Sequence, residues 1–357
     1  MKVTQARQQL RRLASGGAHR VLARTEPAPA PEPPAPEPAP AVPTRVGQPA
    51  PRELHVEAQG ATSVLFERLG TADVEAVEQR IAEVPELRQL YRSIAWPDRH
   101  RALLSLGIEL GVDVVAERTG LPTAQPPEDV HAMARGPLAA AGGLYEADMV
   151  VDALASAGVD VTRIGAGLDF GCSSGRVLRV LAAAFPDTRW HGCDPNADAV
   201  AFAGEAIPRA RAFVSGDRPP LDLPDDSLDL VYAISIWSHF APELGLQWLD
   251  EMRRVIRPGG HLVLTAHGAA TLEHDAIHGL RSAEQLNEAR WAVVAHGSWY
   301  AAEFGEDGDW GVANPDWGTA FLSAEWLLAH ALPQWRLLEF APGRNAGNQD
   351  VYVLERS

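Results

Sequence analysis

An apolar run that empties into a glycine-rich turn is the feature that most narrows what this chain can fold into. Residues Ile164 to Phe170 lead into Gly171-Cys172-Ser173-Ser174-Gly175-Arg176. That is the pattern of a strand handing over to a helix through backbone bare enough for a ligand to approach. The spacing Gly171-x-x-x-Gly175 differs from the Gly-x-Gly-x-x-Gly turn that cradles a pyrophosphate, and Asp169 stands where a phosphate would be repelled. A cationic ligand suits the turn better. About 20 residues past the turn, the next apolar strand ends at Asp194, placed to accept hydrogen bonds from a ribose diol. Carboxylates at these two positions point to a positively charged nucleoside.

Strand and helix patterns alternate from Ile164 to Ala266, which predicts a doubly wound α/β sheet. Arg253, Arg254 and Arg257 crowd the end of a predicted helix, where cations complement the carbonyl end of the dipole, and Pro258-Gly259-Gly260 stops it. His261 to Ala266 then reads as a buried strand. Ligands of such sheets bind beyond the carboxyl ends of the strands, and Asp169, Asp194, Asp217 and Ser235 all fall at such ends.

Three segments in register resemble the class I S-adenosylmethionine-dependent methyltransferases. Asp169-Phe170-Gly171-Cys172-Ser173-Ser174-Gly175 is similar to their first motif, with Ser173 where many members carry glycine. Ser215-Gly216-Asp217 and Leu223 to Ala233 resemble the adenine-contacting segment and fourth strand, and Glu251 to Leu264 the helix, Pro-Gly-Gly turn and fifth strand. The resemblance implies a Rossmann-like fold and S-adenosylmethionine as cofactor. It also implies cofactor contacts from Asp169, Gly171, Cys172, Ser173, Gly175, Asp194, Pro195, Asp217, Arg218 and Ser235. A looser likeness, in Phe340 to Leu354 and Thr265-Ala266-His267-Gly268, is to bacterial methyltransferases of glycan and glycosyl-transfer systems. It tilts the expected acceptor toward a hydroxyl of a glycan or small metabolite. A protein or nucleic-acid methyltransferase, and a non-catalytic cofactor-binding scaffold, are the alternative readings.

The sulfonium carries its own activated methyl group, so a base is needed only for a hydroxyl or protonated amine acceptor. His239, just beyond the fourth strand, is the first catalytic candidate. His267, at the end of the fifth, is the second, with a loop-capping hydrogen bond as its other reading. Glu273, His274, Asp275 and His278 cluster with two histidines four apart, but read as a solvated helix and not as a metal site; no metal is expected. From Trp291 onward lie six of the ten tryptophans, which suggests a cap over the site, with Trp326 and Trp335 reading as core.

The 357 residues divide into a tail and linker over 1–54, a helical region over 55–143, and a catalytic domain over 144–357 with a cap insertion at about 268–330. Residues 27 to 51 contain eleven prolines, the composition of an extended linker. Met1 to Arg24 holds six basic residues and no acid. It reads as a disordered tail, with a short helix docking on a partner or an anionic membrane surface as the other reading. The whole chain carries a net charge of −16, and residues 26 to 357, with 25 basic and 47 acidic groups, carry −22. A body this acidic repels phosphate backbones and argues against nucleic acid as partner. Cys172 and Cys193 supply neither a disulfide framework nor a metal cluster. No run reaches the length of a membrane span and no signal-peptide core is present, so a cytoplasmic location is expected. Helical stripes at Val74, Val77, Ile81 and Val84, and at Leu87, Leu90, Tyr91 and Ile94, predict a small helical layer. A further helix over Leu144 to Ala157 carries Tyr145, which either packs or touches the methionine moiety of the cofactor.

Overall fold

The computed structural model describes residues 60–94, 98–130, 142–302, 314 and 316–357. The tail and linker read over 1–54, Trp96 and Trp310 lie outside them.

Among the described residues the chain opens with the helices α1 (Ala61–Phe66), α2 (Thr71–Ala82), α3 (Pro85–Ser93), α4 (Asp98–Glu109) and α5 (Asp113–Thr119). The stripes predicted from sequence supply their inward faces. Val77 and Ile81 are buried on α2, and Pro85 takes the first turn of α3, where its missing N–H costs nothing. Helix α6 (Leu144–Ser156) then leads to the sheet.

The sheet has seven strands in the order β3-β2-β1-β4-β5-β9-β8. They are β1 (Ala166–Phe170), β2 (Arg189–Asp194), β3 (Ala210–Val214), β4 (Leu228–Ala233), β5 (Ile256–Ala266), β8 (Trp335–Asn345) and β9 (Gln349–Arg356). The first five run parallel, while β9 is antiparallel to both β5 and β8. Helices α7 (Leu178–Ala184), α8 (Ala197–Ala206) and α9 (Pro242–Val255) make the crossovers. This is the Rossmann-like doubly wound α/β architecture. Strands β1 and β4 are buried along nearly their whole length, as expected of strands covered on both faces.

Helix α9 stops two residues short of the arginine-rich end expected from sequence. Ile256 already pairs with Leu228, and the Arg257-Pro258-Gly259-Gly260 turn is looped out of register before His261 pairs with Leu230. Arg257 forms an ion pair with Asp229, which also accepts from the Gly165 and Ala166 amides. A carboxylate, and not a helix dipole, therefore receives this arginine.

Between β5 and β8 lies an insertion made of α10 (Ala269–His278), α11 (Ala283–His296), the β6 (Ser298–Ala301) and β7 (Thr319–Leu322) ribbon, and α12 (Ala324–Ala331). Its returning strand lies against the end of the main sheet. The Gly318, Ala320 and Leu322 amides donate to the carbonyls of His239, Ser238 and His267. The helical layer is joined to the sheet just as firmly. Asp148 on α6 accepts from the Thr62 amide and hydroxyl and from the Arg101 guanidinium. Among the described residues no helix is long and apolar enough to cross a membrane.

Candidate functional site

Strand order reverses between β1 and β4, the switch point where an open α/β sheet leaves a crevice. A cleft with about 770 Å³ of empty space, counted out to solvent, opens there. Phe170, Ile234, Ile236, Phe240, Trp248 and Trp317 give it an apolar lining, while Asp194, Ser215, Asp217, Ser235 and His239 supply the polar groups.

The glycine-rich turn owes its shape to particular residues. Gly171 takes φ +84°, and a Cβ there would lie 2.2 Å from Ile236 Cδ1, so a larger residue would clash as well as strain. The Gly171 and Cys172 amides both donate to the Cys193 carbonyl at 2.9 Å. Ser173, at φ +46°, donates its amide to Asp194 Oδ2 at 2.8 Å, and Asn196 donates to Asp194 Oδ1 at 2.9 Å. From behind, the buried Arg179 donates to the carbonyls of Ser174 and Gly175 and to those of Pro122 and Ala124. Sequence reading gave no hint of this arginine, which stitches the segment after α5 onto the turn.

Of the residues expected to hold cofactor, Gly171, Asp194, Pro195, Asp217 and Ser235 line the cleft. Asp169, Cys172, Ser173, Gly175 and Arg218 stand around it. Asp169 is buried at the end of β1 beside Tyr232, and loss of hydration pushes its carboxyl up to about 7, against the opposing pull of Tyr232 and Arg176. Cys172 is buried, with its thiol pushed well up by desolvation. Gly175 packs on Ile207, and Arg218 pairs with Asp316 of the insertion. Ser235, at φ +63°, turns its hydroxyl away to Gln349. Tyr145 bonds the backbone of Arg344 and Ala346, tying α6 to the turn between β8 and β9.

His239 lines the cleft on the turn after β4, and its Nδ1 lies 2.9 Å from the Gly318 carbonyl. A carbonyl only accepts, so Nδ1 carries the proton and Nε2 is the basic nitrogen. Burial lowers its pKa, partly offset by that bond, which keeps the ring neutral. His267 stands outside the lining, its ring centre 6.1 Å from that of His239. Burial, then the neighbouring His239 and Arg281, lower its pKa to about 3.

The insertion contributes Trp317, and α9 contributes Trp248, whose buried indole N–H meets no acceptor among the described residues. Trp317 is one of the six tryptophans that suggest a cap over the site, whereas Trp248 does not stand out, because an aromatic position carries no mark of which cavity it faces. Among the described residues, no group of three or more His, Cys, Asp or Glu side chains is arranged to hold a metal. His278 Nδ1 lies 2.8 Å from the His274 carbonyl, an ordinary bond within α10.

Comparison with known families decides what this cleft belongs to. A family described as "Methyltransferase domain" matches residues 168–260. Residues 168–260 are a methyltransferase domain. It is of the class I, S-adenosylmethionine-dependent kind, and S-adenosylmethionine is its cofactor. The chain is 32% identical over 122 residues to a fatty-acid O-methyltransferase of Mycolicibacterium smegmatis, covering 34% of this chain and 43% of that protein. It is 32% identical over 114 residues to a malonyl-[acyl-carrier protein] O-methyltransferase of Methylococcus capsulatus, covering 29% of this chain and 38% of that protein. It thus spans less than half the length of these curated relatives. A solved S-adenosylmethionine-dependent methyltransferase from Mesorhizobium loti is 16% identical, with a TM-score of 0.40, covering 59% of this chain and all of that one.

The cleft of the methyltransferase domain fits that cofactor. Gly171 leaves bare backbone where a side chain would intrude, Asp194 presents a carboxylate to a diol, and the aromatic lining suits a flat base.

Proposed function

We propose that this chain is an O-methyltransferase acting on a hydroxyl of a small metabolite or glycan. The observation that carries the reading is His239: an imidazole in the cleft wall, its Nδ1 held to the Gly318 carbonyl and its pKa lowered by burial so that the ring is neutral. Such a ring is ready to take a hydroxyl proton at neutral pH without first losing one of its own. Bound S-adenosylmethionine supplies a methyl group activated on a sulfonium. The residues of this chain would then align and shield: Asp194 and Asp217 hold the polar end of the cofactor, and the apolar lining excludes water. His239 would accept the proton released as the acceptor oxygen takes the methyl. The names of the relatives, for a fatty acid and for a malonyl group on a carrier protein, support methyl transfer to oxygen on a small or carrier-linked acceptor.

The test is methyl transfer from labelled S-adenosylmethionine to a panel of hydroxyl compounds, sugars and glycosides included. His239→Ala should lower turnover about 100-fold or more, the usual scale of general-base loss. Cofactor affinity should change little. Undiminished turnover would remove His239 from the chemistry, and loss of cofactor affinity as well would make it a structural residue.

A further inference from the structure

The turn that carries His239 is fixed by a side chain from the far end of the chain. Gln349 opens β9 and is buried. Its Oε1 accepts from the hydroxyls of Ser235 at 2.9 Å and Thr265 at 2.8 Å, and from Asn345 Nδ2 at 3.0 Å. Its Nε2 points to Ser238 Oγ at 3.5 Å, the long edge of a hydrogen bond.

Those partners are themselves tied into the turn. Thr265 Oγ1 also accepts from the Ser235 amide at 2.7 Å, and Ser238 Oγ donates to the Ser235 carbonyl at 2.9 Å. The amide, hydroxyl and carbonyl of Ser235 therefore all belong to one network centred on a single carboxamide. Ser235 sits at φ +63°, a conformation a side chain rarely adopts without surroundings that impose it. Four residues on, the same turn presents His239, whose amide donates to the Ile236 carbonyl and whose own carbonyl accepts from Gly318. The strand that returns from the insertion holds one end of the turn. Gln349 holds the other.

We infer that Gln349 is a positioning residue, whose carboxamide holds the Ser235–Phe240 turn so that His239 keeps its Nδ1 bond to Gly318 in the wall of the cleft. The inference rests on the O-methyltransferase reading only for the role given to His239. Three donors converge on one oxygen, and an apolar replacement leaves the buried Thr265 hydroxyl and the partly buried Ser235 and Asn345 donors without that acceptor. Ser235 is then free to leave its left-handed conformation, and the His239 ring to leave the Gly318 carbonyl.

Nitrogen-15 NMR of histidine-labelled full-length protein reads this directly, because the two imidazole tautomers have distinct spectra; His239→Gln identifies the resonance. The wild type should show His239 protonated at Nδ1. Gln349→Met should shift it toward protonation at Nε2, whatever change in S-adenosylmethionine affinity the loosened Ser235 brings. Gln349→Glu keeps an acceptor for the three donors and should restore the wild-type signature. An unchanged His239 spectrum in Gln349→Met overturns the inference. If that variant does not fold, Thr265→Val removes one shared hydroxyl and carries the same test, again with an unchanged spectrum as the overturning result. Failure of the wild type to bind S-adenosylmethionine would count against the function proposed above, while leaving the NMR result to judge Gln349.

Discussion

Among single residues, Asp169 shows how burial can turn a motif residue into a proton-linked one. The sequence places it in the glycine-rich segment, and the structure adds that it is almost wholly out of water, with its pKa raised to about 7. A carboxyl raised on folding holds a proton in the native state that the unfolded chain has already lost. It therefore makes stability fall as pH rises from about 4 to about 7. A cation bound nearby favours the carboxylate, so S-adenosylmethionine affinity should rise with pH over the upper part of that window, with proton release on binding. Calorimetry in buffers of different ionisation enthalpy measures the protons released. Asp169→Asn should remove both the release and the pH dependence; retention of both would assign them to another group. Asp194 was equally legible from sequence as the acid ending the second strand. What no sequence pattern conveys is that its carboxylate also organises the turn, through the Ser173 amide.

Among elements, the helices of the N-terminal layer and the strands around the switch point were legible because each carries its own period and its own stop. Val77 and Ile81 mark a helix face, and Leu228 to Ala233 a buried strand. The insertion was legible only as a change in composition. Its contribution to the site depends on backbone bonds from Gly318, Ala320 and Leu322 to residues about 50 to 80 positions earlier, and backbone groups leave no trace in side-chain patterns. Gln349 escaped notice for a related reason, as a lone polar residue beside a hairpin that reads simply as a strand start. The insertion strand crosses over His267, which gives it a pH dependence. A histidine kept neutral, with its pKa lowered to about 3, contributes stability that is fully present above about 6.5 and is lost as pH falls toward 3. Hydrogen exchange at the Gly318, Ala320 and Leu322 amides should therefore quicken on acidification, relative to the amides of β1. His267→Phe, which cannot take up a proton, should flatten that response. Equal acid sensitivity in the variant would place the switch elsewhere.

Over the whole molecule, the helical layer and the sheet share one continuous apolar core. Leu65, Val77 and Leu104 from the layer belong to the same buried cluster as Leu178, Trp190 and Tyr232 from around the sheet. Polar groups seal the seam. Arg68 donates to the Thr119 carbonyl and to the carbonyls of Ala183 and Ala184 at the end of α7, where a cation complements the helix dipole. Asp148 binds Thr62 twice at 2.6 and 2.8 Å and Arg101 at 2.9 Å, with both side chains of the ion pair largely out of solvent. Sequence reading separates residues 55–143 from the catalytic domain, because composition shows a boundary but not what lies across it. The shared core predicts that layer and sheet unfold together. Asp148→Ala leaves Arg101 with only its ion pair to Asp98 and strands two Thr62 donors in a half-buried seam, and removal of one partner from a pair of this kind costs about 3 to 5 kcal/mol when fully buried. Since Arg101 keeps some exposure, about 2 to 3 kcal/mol is expected. Chemical denaturation should show one transition in the wild type, shifted as a whole to lower denaturant in Asp148→Ala. Two separate transitions in the variant, with that of the sheet unmoved, would mean that the layer is a detachable module and that the cleft stands without it.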